Sequence, residues 1–295
     1  SMLQSMLMNL EESERWYQRL RDFMEKSEGS LRREAGNRLL YLDIALPHRG
    51  TVRMVDLLKH AGTLLKNGKA ILPEFSVTSN LPSIMNGGKD FCEWSKVDKE
   101  LAVSIGKIVE FVLGKYGKGL VSIALAESYF EKGMDSYEVV SLAEKGRMQA
   151  EAGGKKEQVF VAVGILVWLS LINGRAEDAQ DILNGFRHSI EKETLQIFPN
   201  LYALQCRIYL YQGKLPQVLE WMERAPDENR DFCSLERFCY LTKIRCYIQF
   251  GKYDKAYGLL LKMAYYADVQ KRNYIAMETK LLLAIVRYRM KEEGW

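Results

Sequence analysis

The side chains that could do chemistry in this chain are few and scattered. Its three histidines, His48, His60 and His188, fall in separate segments, and none shows the HExxH or HxH spacing that brings two imidazoles to one metal. No GxSxG elbow presents a serine nucleophile. The five cysteines, Cys92, Cys206, Cys233, Cys239 and Cys246, lack CxxC pairs, so they read as reduced, mostly buried thiols rather than a zinc or disulfide framework. In "CSLERFCYLTKIRC" the last three stand six and seven residues apart, near one side of a helix, where they act as small apolar packing residues. "GKYGKG" (residues 114–119) invites a phosphate-loop reading, but a P-loop needs GxxxxGK followed by Ser or Thr after a strand, and Leu120 stands where that hydroxyl would be. It reads as a turn between helices whose lysines, Lys115 and Lys118, could face an anion. An enzyme is therefore not the expected reading.

The densest mixture of polar and aromatic groups is "LPSIMNGGKDFCEWSKVD", residues 81–98. Gly87 and Gly88 open backbone shapes closed to other residues. Trp94 offers a stacking face for a sugar or ring, and Asn86, Lys89 and Asp90 supply polar contacts. With Tyr116, Lys118 and Glu127 from the adjoining stretch, these make the expected ligand-binding set. The competing reading is a structural plug in which Phe91 and Trp94 anchor a long loop to the core, because a long ordered loop needs anchoring whether or not it binds anything.

The elements that must position these groups are helices. The chain has 295 residues, of which 47% are hydrophobic and 27% charged, enough to bury a core and unlike a disordered composition. Only six prolines occur, as a mainly helical chain requires. Four segments repeat one pattern: an apolar helix, a turn glycine, then an amphipathic helix. The glycines are Gly133, Gly174, Gly213 and Gly251, spaced by 41, 39 and 38 residues. Tyr129, Ser170, Tyr209 and Tyr247 stand four before them, and Leu142, Leu183, Met222 and Leu260 nine after. Ala179, Val218 and Ala256, five after three of the glycines, are the small residues that let two helices approach. A unit of this kind buries its apolar face only when the next unit stacks on it.

The predicted fold is all-α: one right-handed superhelix (α-solenoid) of tetratricopeptide-like helix-turn-helix repeats, spanning 1–295 as a single domain. It comprises N-terminal helices over 10–71, an irregular loop over 72–98 and repeats over 99–290, with a compact bundle as the alternative. "LEESERWYQRLRDFMEK" is one predicted helix, and "APDENRDF" a predicted inter-repeat loop. Most tyrosines at helical spacing, Tyr209, Tyr211, Tyr240, Tyr247, Tyr265 and Tyr266 among them, are expected in the core, with a few facing a groove. Net charge is +4 with both signs interleaved, so this chain lacks the basic stripe that nucleic-acid binding needs. No run of 18 apolar residues spans a membrane, and a cytoplasmic location is expected.

The phrases "YLDIALPHRG", "ILPEFSVTSNLPSIMNGGKDFCEWSK", "EFVLGKYGKGLVSIALAES" and "APDENRDF…LERFCYLTKIRCYI" resemble the helical-repeat region of the MalT-like regulators, the large ATP-binding LuxR group of transcriptional regulators. The resemblance runs from about Leu10 to Met290. It implies a sensor region that receives an inducer and relays its presence to an ATPase domain and a LuxR-type DNA-binding domain. The chain shows no Walker motif before Leu10 and no helix-turn-helix after Met290, so ATP and DNA binding belong, by resemblance, to parts outside it, and no cofactor is expected within it. The expected partners are a small-molecule inducer or peptide and the protein's own ATPase and DNA-binding domains. A pure protein-interaction scaffold without a metabolite is the alternative reading, and an enzyme with a concealed site the third.

Overall fold

The computed structural model describes residues 1–49, 98–113, 117–153, 156–190, 197–230 and 232–291. Among them are thirteen α-helices and no strand. Three lie at the start: α1 (Met2–Met6), α2 (Leu10–Lys26) and α3 (Gly29–Ala45), the last followed by a 3-10 turn at Pro47–Arg49. The rest are α4 (Asp98–Leu113), α5 (Leu120–Glu131), α6 (Ser136–Glu151), α7 (Lys156–Ile172), α8 (Ala176–Ser189), α9 (Phe198–Gln212), α10 (Leu215–Arg224), α11 (Arg237–Gln249), α12 (Tyr253–Val269) and α13 (Asn273–Met290). Helix α2 coincides with its predicted segment. Of the expected ligand set, Asn86, Lys89, Asp90, Trp94 and Tyr116 lie outside the described residues, as does nearly all of the 72–98 loop.

All four turn glycines adopt the left-handed backbone, with φ of 65, 71, 69 and 68° at Gly133, Gly174, Gly213 and Gly251. At each, the glycine N–H donates to a carbonyl three residues back and the next N–H to one five residues back. Gly174 donates to Leu171 and Arg175 to Ser170; Gly251 donates to Ile248 and Lys252 to Tyr247. This paired closure satisfies carbonyls that the helix end leaves open. A Cβ at any of the four would meet nothing within 4 Å, so the glycine is demanded by backbone conformation alone, worth about 1 kcal/mol. Gly119 is demanded by space as well: with φ of 80°, a Cβ there would lie 2.2 Å from the Gly146 carbonyl oxygen. The start of α5 crosses α6 where both chains lack a side chain.

Among α1 to α3, and again from α4 onward, each helix packs on the next. In addition α5 packs on α7, α7 on α9 and α9 on α11, so the first helix of each unit touches the first helix of the next. One apolar cluster runs through α5 to α9 and into α11, from Ile123 to Cys239. A second joins α11, α12 and α13, from Tyr240 to Val286. Helix α7 is buried along nearly its whole length, yet among the described residues no helix is long and apolar enough to cross a membrane. Ala179, Val218 and Ala256 are fully buried at the helix crossings. Two of the tyrosines assigned to the core are not in it. Tyr211 and Tyr265 are 58% and 62% exposed, because each adjoins a position on the buried side of its helix and the 100° step carries it outward.

Candidate functional site

Counting six residues back from each turn glycine gives Glu127, Trp168, Arg207 and Arg245, on α5, α7, α9 and α11. Three of the four meet in a short row: Arg207 contacts the Trp168 ring and shares the Glu278 carboxylate with Arg245. The centre of the row is Arg207, only 4% exposed. Its guanidinium carbon lies 5.1 Å from the Trp168 ring centre and 4.6 Å from that of Phe238, so two aromatic faces flank it. Its Nε donates to Thr242 Oγ1 at 2.9 Å.

The rest of the guanidinium is poorly served. Arg207 Nη2 is buried without a hydrogen-bond acceptor, and the nearest carboxylate oxygen, Glu278 Oε1 on α13, stands 3.6 Å away. The same oxygen approaches Arg245 Nη2 at 2.8 Å, an ion pair that is off-line for a hydrogen bond. Two guanidinium groups therefore share one carboxylate. Burial, then the like charge of Arg245, lowers the Arg207 pKa to about 10, with Glu278 opposing. The arrangement is a site with one positive charge in excess, Arg207 buried and Arg245 and Glu278 partly exposed, built by α7, α9, α11 and α13. In chemical terms it fits an anion that would hydrogen-bond where Glu278 only approaches.

A second buried cation lies on α11. Arg237 is 1% exposed, donates from Nη1 to the Ser234 carbonyl at 3.1 Å, and is also lowered to about 10 by burial. The Glu127 carboxylate supports its charge. Of the sequence-chosen residues within the described part, Glu127 is thus a buried acid acting on Arg237, and Lys118 is exposed in the turn before α5, its ammonium next to Gly153. Arg207, Arg237, Arg245 and Glu278 were missed. The turn-glycine register held a signal for Arg207 and Arg245, since it marks one equivalent position per unit.

One other constellation has a chemical look. His48 Nδ1 lies 3.3 Å from Ser5 Oγ and His48 Nε2 lies 2.9 Å from Glu14 Oε1, the order of a hydroxyl–imidazole–carboxylate relay. Ser5 is 2% exposed, so no acyl substrate reaches it, and Glu14 is engaged by Arg49 Nη1 at 2.6 Å. These bonds, with Tyr17 donating to Asp43 at 2.8 Å and Arg49 over the Tyr17 ring at 3.8 Å, tie α1, α2 and the turn after α3 into one corner. The four described cysteines are free. Cys206 and Cys246 sit with sulfurs 3.7 Å apart on neighbouring helices, and burial pushes the Cys239 thiol up to about 12, so they are packing groups rather than nucleophiles. Among the described residues no cluster of histidine, cysteine, aspartate and glutamate could hold a metal ion.

Comparison with family models, curated proteins and solved structures finds no match to this chain.

Proposed function

We propose that this chain is a ligand-sensing and relay domain, a right-handed superhelix of tetratricopeptide-like repeats. In it an anionic small molecule, one bearing a carboxylate or phosphate, binds at the Arg207 row. The MalT-like resemblance supplies the wider setting, in which a sensor of this kind reports to ATPase and LuxR-type DNA-binding domains. The observation that supports the reading is the buried Arg207 guanidinium, whose Nη2 has no acceptor while its nearest carboxylate is shared with Arg245.

The relay follows from Glu278. An anion that hydrogen-bonds Arg207 and Arg245 displaces the Glu278 carboxylate and releases α13 from α9 and α11. The ligand shifts the position of α13 by as much free energy as it discriminates between the two states. The test is a thermal-shift and calorimetric screen of inorganic phosphate, citrate and sugar phosphates against neutral sugars. The anions are expected to raise the melting temperature saturably, Arg207→Met to abolish the effect, and Glu278→Gln to tighten binding. Stabilisation by neutral sugars alone, or anion binding unchanged in Arg207→Met, would overturn the assignment.

A further inference from the structure

The surroundings of Arg207 leave its guanidinium one open end. The group is planar, with its N–H donors pointing outward in that plane. The Trp168 ring centre lies 5.1 Å from the guanidinium carbon and that of Phe238 4.6 Å, so two rings flank it. At the Nε end stands Thr242, fully buried on α11. The Thr242 hydroxyl donates to the Phe238 carbonyl at 2.8 Å, which leaves its oxygen to accept from Arg207 Nε at 2.9 Å. Each group in this chain of two bonds is thereby fixed, and with it the plane of the guanidinium. What stays available is the Nη end, where Nη2 has no acceptor. The group that approaches there is a carboxylate, Glu278, 3.6 Å from Nη2 and partly exposed.

We infer that the site selects a carboxylate over a tetrahedral oxyanion, and that Thr242 is the positioning residue for that choice. The inference rests on the reading of Arg207 as a ligand-binding group. A carboxylate is planar, so both of its oxygens can lie in the guanidinium plane and meet the Nη donors side by side. Phosphate and sulfate carry oxygens above and below that plane, on the sides where the two rings stand. A ring face is the negative part of the aromatic quadrupole and offers such an oxygen no donor. The preference holds only while the plane is held, and Thr242 holds it. Without the Thr242 acceptor the guanidinium turns about its own stem, and the planar and tetrahedral anions become equivalent.

The test is a thermal-shift titration of the whole chain with succinate and citrate beside inorganic phosphate and sulfate, at matched ionic strength. Half-saturation by the carboxylates is expected at a concentration about tenfold lower than by phosphate or sulfate. Thr242→Val keeps the shape and removes the acceptor, and it is expected to bring the two classes to within about twofold of each other. Thr242→Ser keeps the hydroxyl and should restore the preference, with circular dichroism of both variants matching wild type. A purely structural role for Thr242 would lower the melting temperature without moving the ratio of the two affinities. That outcome would overturn the role of Thr242. Equal binding of both classes by wild type, with both lost in Arg207→Met, would overturn the carboxylate preference and leave the Arg207 site standing. No saturable shift with any of the four anions would overturn the site and the preference together.

Discussion

Arg207 shows how little a buried charge says about stability by itself. Removing a guanidinium from water costs several kcal/mol, and a carboxylate 3.6 Å away and shared with Arg245 returns only part of that. Arg207→Met keeps a long side chain between Trp168 and Phe238. Thr242 keeps a partner, because its hydroxyl also donates to the Phe238 carbonyl at 2.8 Å. The expected outcome is unchanged stability or a gain of up to about 2 kcal/mol. Glu278→Ala acts in the other direction: it leaves Arg207 and Arg245 without the carboxylate they share, and a loss of about 3 kcal/mol is expected. Urea unfolding of the two variants beside the wild type checks both. A destabilised Arg207→Met would mean that the guanidinium is a structural strut and not a binding group.

At the scale of elements, the loop between α10 and α11 is tied to α11 and α12 through Glu228. Lys243 Nζ and the Tyr247 hydroxyl both donate to Glu228, Lys262 donates to its carbonyl, and Lys243 also reaches the Pro226 carbonyl at 2.8 Å. These bonds hold the Glu228 pKa at about 2 against the desolvation that opposes them. The folded pKa lies below the ordinary value of 4.5, so the contribution is full above about pH 4.5 and is lost as pH falls toward 2. Glu228→Gln is therefore expected to cost about 1 kcal/mol near pH 7, and the gap from wild type should close between about pH 4.5 and 2. A gap that stays constant with pH would show that packing rather than charge secures the loop. That this stretch is a loop was legible, since Pro226, Asp227 and Asn229 mark a turn locally. The turn glycines and the span of α2 were legible for the same reason: each depends on a few neighbouring residues. The Arg207–Glu278 pair was not, because 71 residues separate the two and only the stacking of α9, α11 and α13 brings them together. Tyr211 and Tyr265 went astray because helical spacing marks a face without saying which face is covered.

The molecule as a whole is tied end to end as well as neighbour to neighbour. Gln270, at the end of α12, donates to the Ser5 carbonyl at 3.2 Å across 265 residues, and Met8 packs against the core of α11, α12 and α13. No sequence periodicity announces such a contact, because α1 lies outside the repeats. In an array held only by neighbours, a local change spreads one unit at a time. The docked α1 adds a second support to α12 and α13, the latter carrying Glu278. Replacing Met8 with Asp and Gln270 with Ala removes that support and touches nothing in α7 or α8. Hydrogen exchange followed by mass spectrometry is expected to show amides of α12 and α13 exchanging about tenfold faster while α7 and α8 keep their protection. A uniform loss along the chain would show that the array opens as one cooperative unit. Unchanged exchange everywhere would show that α1 rests on the last helices without stabilising them, and the coupling of the two ends would then have no energetic content.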